Sequence, residues 1–306
     1  VYKKGNLKPE SLISDKLVSK GFNEIITYSF ISEADNEIFG QEQNTLKVDN
    51  PISQNMSFMR TNLISGLVNT CSYNLNHGQE NQRLFEIGNT FHLQNNTKVI
   101  ETKVVAGLMT GNLALDNWNK KSDEVSFYDL KGVLTDLTSL FNSSFSLKGC
   151  TKEFLHPGIS ASISYKNKEV GYIGTLHPSC LENLDLKKNI FIFSLEIDSL
   201  ELKANSKFKD FSKFPSTSRD LAFLFDRNVD AESIQTTVMQ SAGKFFKEIS
   251  IFDIYEGEGI DLNKKSVALS VSWQAMKQTL LDSDIDEAVD KIIKSVKKDL
   301  NGELRI

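Results

Sequence analysis

Few residues in this chain have types and spacing that could support chemistry, and the pair that stands out is Asp253 and Tyr255. They alternate with Phe252 and Ile254 in the run Ile251-Phe252-Asp253-Ile254-Tyr255. A strand there would turn the carboxylate and the phenol to an open side and the two apolar residues to a core. A carboxylate accepts from the amino groups of a nucleobase edge, and a base stacks on an exposed aromatic ring for roughly 1 to 3 kcal/mol. The same kind of surface also suits a subunit contact or a small effector. Other constellations are weaker. His156 and His177 each precede proline in a Leu-His-Pro triplet and could share a metal if their strands were adjacent, but the spacing matches no recurrent ligand pattern, and capping or hydrogen bonding at strand ends is favoured. His77 and His92 are isolated. Glu86 is the best single carboxylate and reads as a solvent-side or loop-bonding strand residue rather than a general base. Cys71, Cys150 and Cys180 are odd in number, widely spaced and without a CxxC pair, which argues for reduced thiols in a cytoplasm and against a disulfide framework or zinc site. No nucleophile elbow, phosphate loop or dinucleotide fingerprint is present.

The elements that would carry these residues form an α+β chain of two domains, 1–204 and 205–306, meeting in the charged, patternless stretch from Leu202 to Lys209. The first is organised around Met56 to His92. Leu63, Leu67, Cys71 and Leu75 recur every fourth residue, predicting a helix over 63–76 with Cys71 packed on its apolar face. Arg83 to Phe91 then reads as a strand with Phe85, Ile87 and Phe91 on one side and Glu86 on the other. Around this core the sequence predicts a helix over 8–20, an extended apolar segment over 25–30, a loop at 49–53, a strand over 103–109 and a polar insertion over 112–124. A helix over 128–141, strands over 159–165 and 170–174, and a last strand over 189–197 complete the domain. The second domain reads as strand 221–226, helix 231–240, strand 248–255, strand 266–273, helix 283–300 capped by Asp282 or Ser283, and strand 303–306. That order is βαββαβ, the ferredoxin-like split motif. In its third strand Val267, Leu269, Val271 and Trp273 form one side, and Ser266, Ala268, Ser270 and Ser272 a flat, small-residue side.

Thirty-five Lys and Arg against 40 Asp and Glu give a net charge of -5, so RNA binding by this chain alone should be weak and strongly salt-sensitive. The start, Val1-Tyr2-Lys3-Lys4-Gly5, lacks both an initiating Met and an apolar core region; it is not expected to be a signal peptide, and the chain is expected to be part of a longer one.

Several runs taken in order are similar to the β subunit of bacterial phenylalanyl-tRNA synthetase. They are Gly21 to Phe30, Met59-Arg60-Thr61-Asn62-Leu63, Tyr73-Asn74-Leu75-Asn76, Arg83-Leu84-Phe85-Glu86-Ile87-Gly88, Leu155-His156-Pro157-Gly158 and Leu176-His177-Pro178. The resemblance covers essentially all 306 residues and implies, for the first domain, a class II synthetase-like antiparallel sheet that does no chemistry. Asp49 to Ser53 would then be the degenerate counterpart of the class II dimerisation motif. Class II catalysis needs an arginine at the end of the second motif's strand and another in a glycine-rich strand near the module's end, because the planar guanidinium binds phosphate oxygens in two places. In this chain the first position is His92, and Phe191 to Asp198 holds neither glycine nor arginine.

Lys213-Phe214-Pro215, Arg219-Asp220-Leu221-Ala222, Ile251 to Tyr255, Gly257-Glu258-Gly259, Lys264-Lys265-Ser266 and Gln278-Thr279-Leu280 resemble the ferredoxin-fold anticodon-binding domain of the same subunit. By that resemblance Ala222, Asp253, Tyr255 and Ser266 line the pocket for the first anticodon base, and Arg219 supports it, touches phosphate, or anchors its strand by a salt bridge. Ser218 departs from the family, where many relatives carry a second basic residue. The resemblance implies a catalytic α subunit as partner in a heterotetramer, tRNA(Phe) as the RNA, no DNA or membrane partner, and a cytoplasmic enzyme. It also implies that this chain binds no cofactor, ATP and Mg being needed by the complete enzyme. A single-chain organellar-type synthetase and an amino-acid-sensing protein with a ferredoxin-like effector domain are the rival readings; His92 and the missing second arginine argue against the first.

Overall fold

A computed structural model of the chain describes residues 8–40, 44–95, 98–203 and 210–305. The expected chain start at Val1 to Gly5, most of the 202–209 junction and Ile306 lie outside the described residues. The chain separates into two compact units, Val1–Ser206 and Lys207–Ile306.

In the first unit, α1 (Pro9–Ser19) opens on a proline, whose missing N–H is no loss at a helix start, and buries Ile13 and Leu17. Two short strands follow, β1 (Asn23–Glu24) and β2 (Phe30–Ile31), then α2 (Glu33–Phe39), where Ser32 Oγ accepts from the Asp35 N–H at 3.0 Å. After β3 (Phe58–Met59) come α3 (Ile64–Asn76), β4 (Gln82–Gln94), β5 (Lys98–Thr110) and α4 (Phe127–Thr138). The N-terminus of α4 is held by Asp129, whose carboxylate accepts the Ser126 N–H at 2.8 Å. The unit continues with β6 (Phe145–Gly149), β7 (Leu155–Tyr165), β8 (Lys168–Leu176), α5 (Pro178–Asn183) and β9 (Ile190–Glu196). The turn between β7 and β8 places Lys166 and Asn167 at φ 50° and 66°, the left-handed pair that a two-residue hairpin requires.

Seven strands form one sheet in the order β1-β4-β5-β9-β8-β7-β6, antiparallel except for β1 with β4. Both faces are covered. Phe191, Phe193 and Leu195 of β9 join a core with α1 and α4, while Ile190 and Ile192 join a second core with α3 and Phe39 of α2. A strand buried on both faces reads as a continuous apolar run, which is why 190–195 carries so little polarity.

Three sequence readings need correction here. Residues 25–29 are not strand; the chain only bridges β1 and β2, leaving Ile26 and Tyr28 93% and 73% exposed. Elements α2, β6 and α5 were not anticipated, being too short or too polar to show a period. Glu86 is not solvent-side: it is buried and bonded to the loop at Thr27, with Arg60 as its ion-pair partner.

The second unit runs β10 (Thr217–Asp226), α6 (Ala231–Ser241), β11 (Phe246–Tyr255), β12 (Lys264–Trp273), α7 (Asp282–Leu300) and β13 (Glu303–Leu304), the expected βαββαβ order. Its antiparallel sheet is ordered β11-β12-β10-β13, so β11 is an edge. Phe223, Phe225, Val267, Leu269, Val271 and Trp273 pack with Ile234 and Val238 of α6 and Ile285, Ile292 and Val296 of α7. Both helices thus lie on one face of the sheet. The cap of α7 is neither Asp282 nor Ser283. Asp284 reaches back to accept the Leu281 N–H at 3.2 Å, a geometry that needs the carboxylate three positions after the cap.

Candidate functional site

The helix-free face of the second unit is built in rows by strand register. Asp253 pairs with Ala268, which pairs on its other side with Ala222; Tyr255 pairs with Ser266, and Ser266 with Leu224. Directly opposed residues on one face of a sheet stand about 5 Å apart. Ala222, Asp253, Tyr255 and Ser266 therefore occupy two adjoining rows across three strands. Between and beside them are Ala268 and Ser270, side chains too small to rise above the backbone, so the centre is a flat floor with taller groups at its β11 edge.

Each tall group is differently prepared. Asp253 is exposed and makes no hydrogen bond or ion pair among the described residues, which leaves both carboxylate oxygens free to accept. Tyr255, 41% exposed, is fixed by its hydroxyl, which donates to the Glu258 carbonyl at 3.2 Å. Gly257 makes that fold-back possible, since a Cβ there would stand 2.7 Å from the Tyr255 hydroxyl. Ser266 is buried, and its hydroxyl accepts from Arg305 Nη1 at 3.2 Å.

Arg305 is a residue of this face that sequence reasoning missed. The chain leaves α7 through Asn301 at φ 54° and Gly302, where a Cβ would meet the Phe225 ring at 2.5 Å. That tight return lets β13 pair with β10, and the Arg305 N–H then donates to the Ala222 carbonyl at 2.7 Å. One guanidinium is thereby brought to the rim beside Ala222 and Ser266. The signal available in sequence was only an arginine just past a two-residue strand, and two residues fix no register.

Arg219 lies elsewhere. It pairs with Val271, a core-side residue, and so belongs to the helix side of the sheet, where its Nη2 meets Asp282 Oδ1 at 3.0 Å. The structure brings the other four residues together and leaves Arg219 as a strand-to-helix tie. Phe252 and Ile254 also depart from expectation: neither is in the core, at 58% and 54% exposed. A β-bulge explains it. Ile251 pairs with Leu269 and Asp253 with Ala268, so Phe252 is an extra residue with no partner of its own. Before the bulge Ile249 and Ile251 pack against the core; after it the alternation is reset, and Ile254, in register with core-side Val267, stays exposed.

The first unit holds a cleft of about 290 Å³ on the α3 side of its sheet, lined among others by His92, Thr90, Lys152, Glu169, Tyr172 and Glu196. Desolvation holds the His92 imidazole below its ordinary range, opposed by the charge of Glu196. Burial pushes the Tyr172 phenol up, and Lys152 Nζ sits 4.9 Å from its ring centroid. Among the described residues no arginine lines the cleft. Triphosphate oxygens want a fork of donors, and two carboxylates facing one lysine and a neutral-leaning imidazole do not supply one. His156 and His177 have ring centroids 6.5 Å apart, but each Nδ1 is taken locally, by the Gly158 N–H at 3.0 Å and the Ser179 N–H at 3.2 Å. His177 caps α5, so it takes the capping alternative among the roles, capping or hydrogen bonding at strand ends, that the sequence favoured.

The first unit is thus a largely antiparallel sheet covered on both faces, and the second a ferredoxin-like sheet with one open face, in an α+β chain of two units. Residues 3–197 match the family model described as the phenylalanyl tRNA synthetase beta chain CLM domain, and residues 212–305 the ferredoxin-fold anticodon binding domain. The chain belongs to the phenylalanyl-tRNA synthetase beta chain family. It is 35% identical over 299 residues to the phenylalanine-tRNA ligase beta subunit of Pseudoalteromonas translucida, covering 96% of this chain and 38% of that protein. It is 34% identical over 302 residues to that of Hahella chejuensis, with 97% and 38% covered. The Coxiella burnetii protein of the same name is 33% identical over 292 residues, with 94% and 37% covered. The chain thus spans less than two fifths of the length of these curated relatives.

Proposed function

We propose that this chain serves in phenylalanine-tRNA ligase, the ATP-dependent charging of tRNA(Phe) with phenylalanine, as a docking and anticodon-reading part without chemistry of its own. The observation that carries this reading is the pair of rows on the open sheet. Asp253 offers an unpartnered acceptor, Tyr255 a pinned aromatic face, Ala222 and Ala268 the floor, and Arg305 a positive charge at the rim for a phosphate. Together they fit an unstacked base that presents amino or imino donors. The net charge of -5 fits a chain that adds specificity to an assembly whose other parts supply most phosphate contacts.

In the first unit the cleft chemistry argues against ATP binding by this chain, so ATP and Mg are assigned to a catalytic α subunit. Docking of that subunit is supported by Ile26, Tyr28 and Ile52, apolar side chains exposed at 93%, 73% and 90% on the bridge before β2 and the loop before its pairing partner β3. A heterotetramer in the cytoplasm is the assembly we propose. No helix among the described residues is long and apolar enough to cross a membrane.

The test uses the complete α and β assembly. Tyr255→Ala should raise KM for tRNA(Phe) by roughly 5- to 100-fold, the equivalent of one lost stack. An unaltered KM would refute the assigned face. Phenylalanine-dependent exchange of pyrophosphate into ATP by this chain alone would refute its non-catalytic role.

A further inference from the structure

The cleft of the first unit, unsuited to a triphosphate, holds opposite charges that do not pair with one another. Lys152 Nζ rests over the Tyr172 ring and makes no ion pair among the described residues. Glu169 makes neither an ion pair nor a hydrogen bond among them. Glu196 meets Ser199 Oγ at 3.4 Å and Lys168 Nζ at 4.0 Å through Oε2 alone, which leaves its Oε1 free to accept. Four adjacent strands supply the polar lining beneath these groups. Thr90 of β4 and Thr102 of β5 are register partners, as are Ser194 of β9 and Tyr172 of β8. Thr90 and Ser194 are buried, and the Tyr172 hydroxyl is buried without a hydrogen-bond partner among the described residues. Burial pushes this phenol up, and nearby Ser194 counters that only in part, without a formed bond. A buried polar group left unpaired destabilises the empty protein and marks a place that a ligand atom can satisfy. One wall is aromatic: the Phe154 ring centroid lies 6.0 Å from that of Phe39 and 5.6 Å from that of Tyr172, both in edge-on contact.

We propose that this cleft binds a small zwitterion of the α-amino acid type, its carboxylate drawn by Lys152 and its ammonium by Glu169 and Glu196. A ligand carrying both charges a few bonds apart satisfies both unpaired sets at once. A simple anion would instead face two carboxylates, and a simple amine would face the lysine. Size agrees, since about 290 Å³ stands at the lower end of the ~300 to 1,000 Å³ of small-molecule sites. The rings offer an apolar surface to the ligand's carbon frame and a face to its ammonium, the kind of contact that Lys152 already makes with Tyr172 at 4.9 Å. A carboxylate at Lys152 also gives the Tyr172 hydroxyl the acceptor it lacks, once the ring moves enough to meet it. The inference is independent of the anticodon reading, because it concerns the other unit and needs no tRNA.

The experiment uses the full 306-residue chain without an α subunit, titrated with each standard L-amino acid singly and with ATP. Ligand-observed NMR is expected to show saturable binding of at least one free amino acid with a Kd of about 1 mM or tighter. Its N-acetyl and methyl ester forms, which remove one charge each, should bind about tenfold more weakly or worse, as should the free amino acid to Lys152→Ala and Glu196→Gln. Binding should shift the Tyr172 ring and the Thr90 and Thr102 methyl resonances of the wild-type chain, a map that depends on no variant. Absence of saturable binding by every amino acid would overturn the proposal and leave the docking and anticodon reading intact. Capped forms that bind as tightly as the free amino acid, or shifts confined to residues outside the cleft, would overturn it equally. Saturable ATP binding in the cleft with no amino acid bound would overturn it together with the assignment of ATP to the α subunit.

Discussion

Replacing Glu86 by Gln tests whether the buried Arg60–Glu86 pair carries the first unit. The side chains are 6% and 2% exposed, and Arg60 Nη1 lies 2.7 Å from Glu86 Oε1. Thr27 donates to the same carboxylate from its hydroxyl at 2.7 Å and from its backbone N–H at 3.3 Å, while Arg60 Nε donates to the Asn89 carbonyl at 2.9 Å. The network therefore ties the β1–β2 bridge, the segment before α3 and strand β4 together. There is no slack for water around the guanidinium: a Cβ on Gly88 would stand 2.4 Å from Arg60 Nη2. Glutamine keeps the shape but removes the countercharge, leaving a buried cation with neutral acceptors only. Removing one partner of a buried pair costs about 3 to 5 kcal/mol. Against the ~5 to 15 kcal/mol of a typical domain that is a fifth or more of the stability. Hydrogen exchange of amides in α3 and β4 is the suitable assay, because it isolates the unit concerned. The buried Trp273 belongs to the second unit, and its fluorescence should report an unfolding midpoint that does not move. Replacing both partners together, Arg60→Met with Glu86→Leu, should recover a large part of the loss, since neither charge is then stranded. A loss under about 1 kcal/mol for Glu86→Gln, or a double variant worse than the sum of the single ones, would refute the reasoning.

Two further outcomes follow from burial and capping. At the start of α6, the Ser233 backbone N–H donates to Asp230 at 2.7 Å and holds its carboxyl below the ordinary aspartate range, with burial opposing. A depressed folded-state pKa contributes stability that is present above the unfolded value near ~3.9 and is lost as pH falls through the folded one, so Asp230→Ala should cost about 0.5 to 2 kcal/mol at neutral pH and progressively nothing in acid. Denaturant titrations of both proteins at pH 7 and pH 3 read the convergence; a gap that stays constant would count against the cap. Burial pushes the Cys71 thiol up to about 12, so a thiol-selective disulfide reagent at pH 8 should leave it untouched in the native chain and label it only on unfolding, with the half-buried Cys150 reacting first.

How much of this was legible in the sequence depended on whether a residue's environment is local. Helix α3 and the sides of β12 could be read because periodicity alone fixes which face is buried, whereas the cover on both faces of β9 was found only in the structure. The order βαββαβ was likewise visible, and the flat side of β12 pointed to an open face before any coordinates. Glu86 illustrates the limit. A lone carboxylate in an apolar strand looks solvent-facing until the distant Arg60 and Thr27 are seen to close over it, and nothing in its neighbours along the chain announces them. The bridge at 25–29 has apolar residues at alternate positions yet forms no strand, with Ile26 and Tyr28 exposed, because the strand signal measures hydrophobicity, and exposed apolar residues carry the same signal as buried ones.

Strand β11 is the most instructive case, since the sequence reading placed Asp253 and Tyr255 on the open side by a pattern that does not hold. Alternation through 251–255 would place Ile251 on the same side as Asp253 and Tyr255, which conflicts with a core that needs Ile251 and a site that needs the other two. Both demands are met only if one residue is inserted between them, and the inserted residue must then be exposed. The conflict was present in the sequence: three residues of incompatible character at 251, 253 and 255, all on one side of an ideal strand. Resolving it requires an extra residue between Ile251 and Asp253, and the residue inserted there is Phe252, 58% exposed.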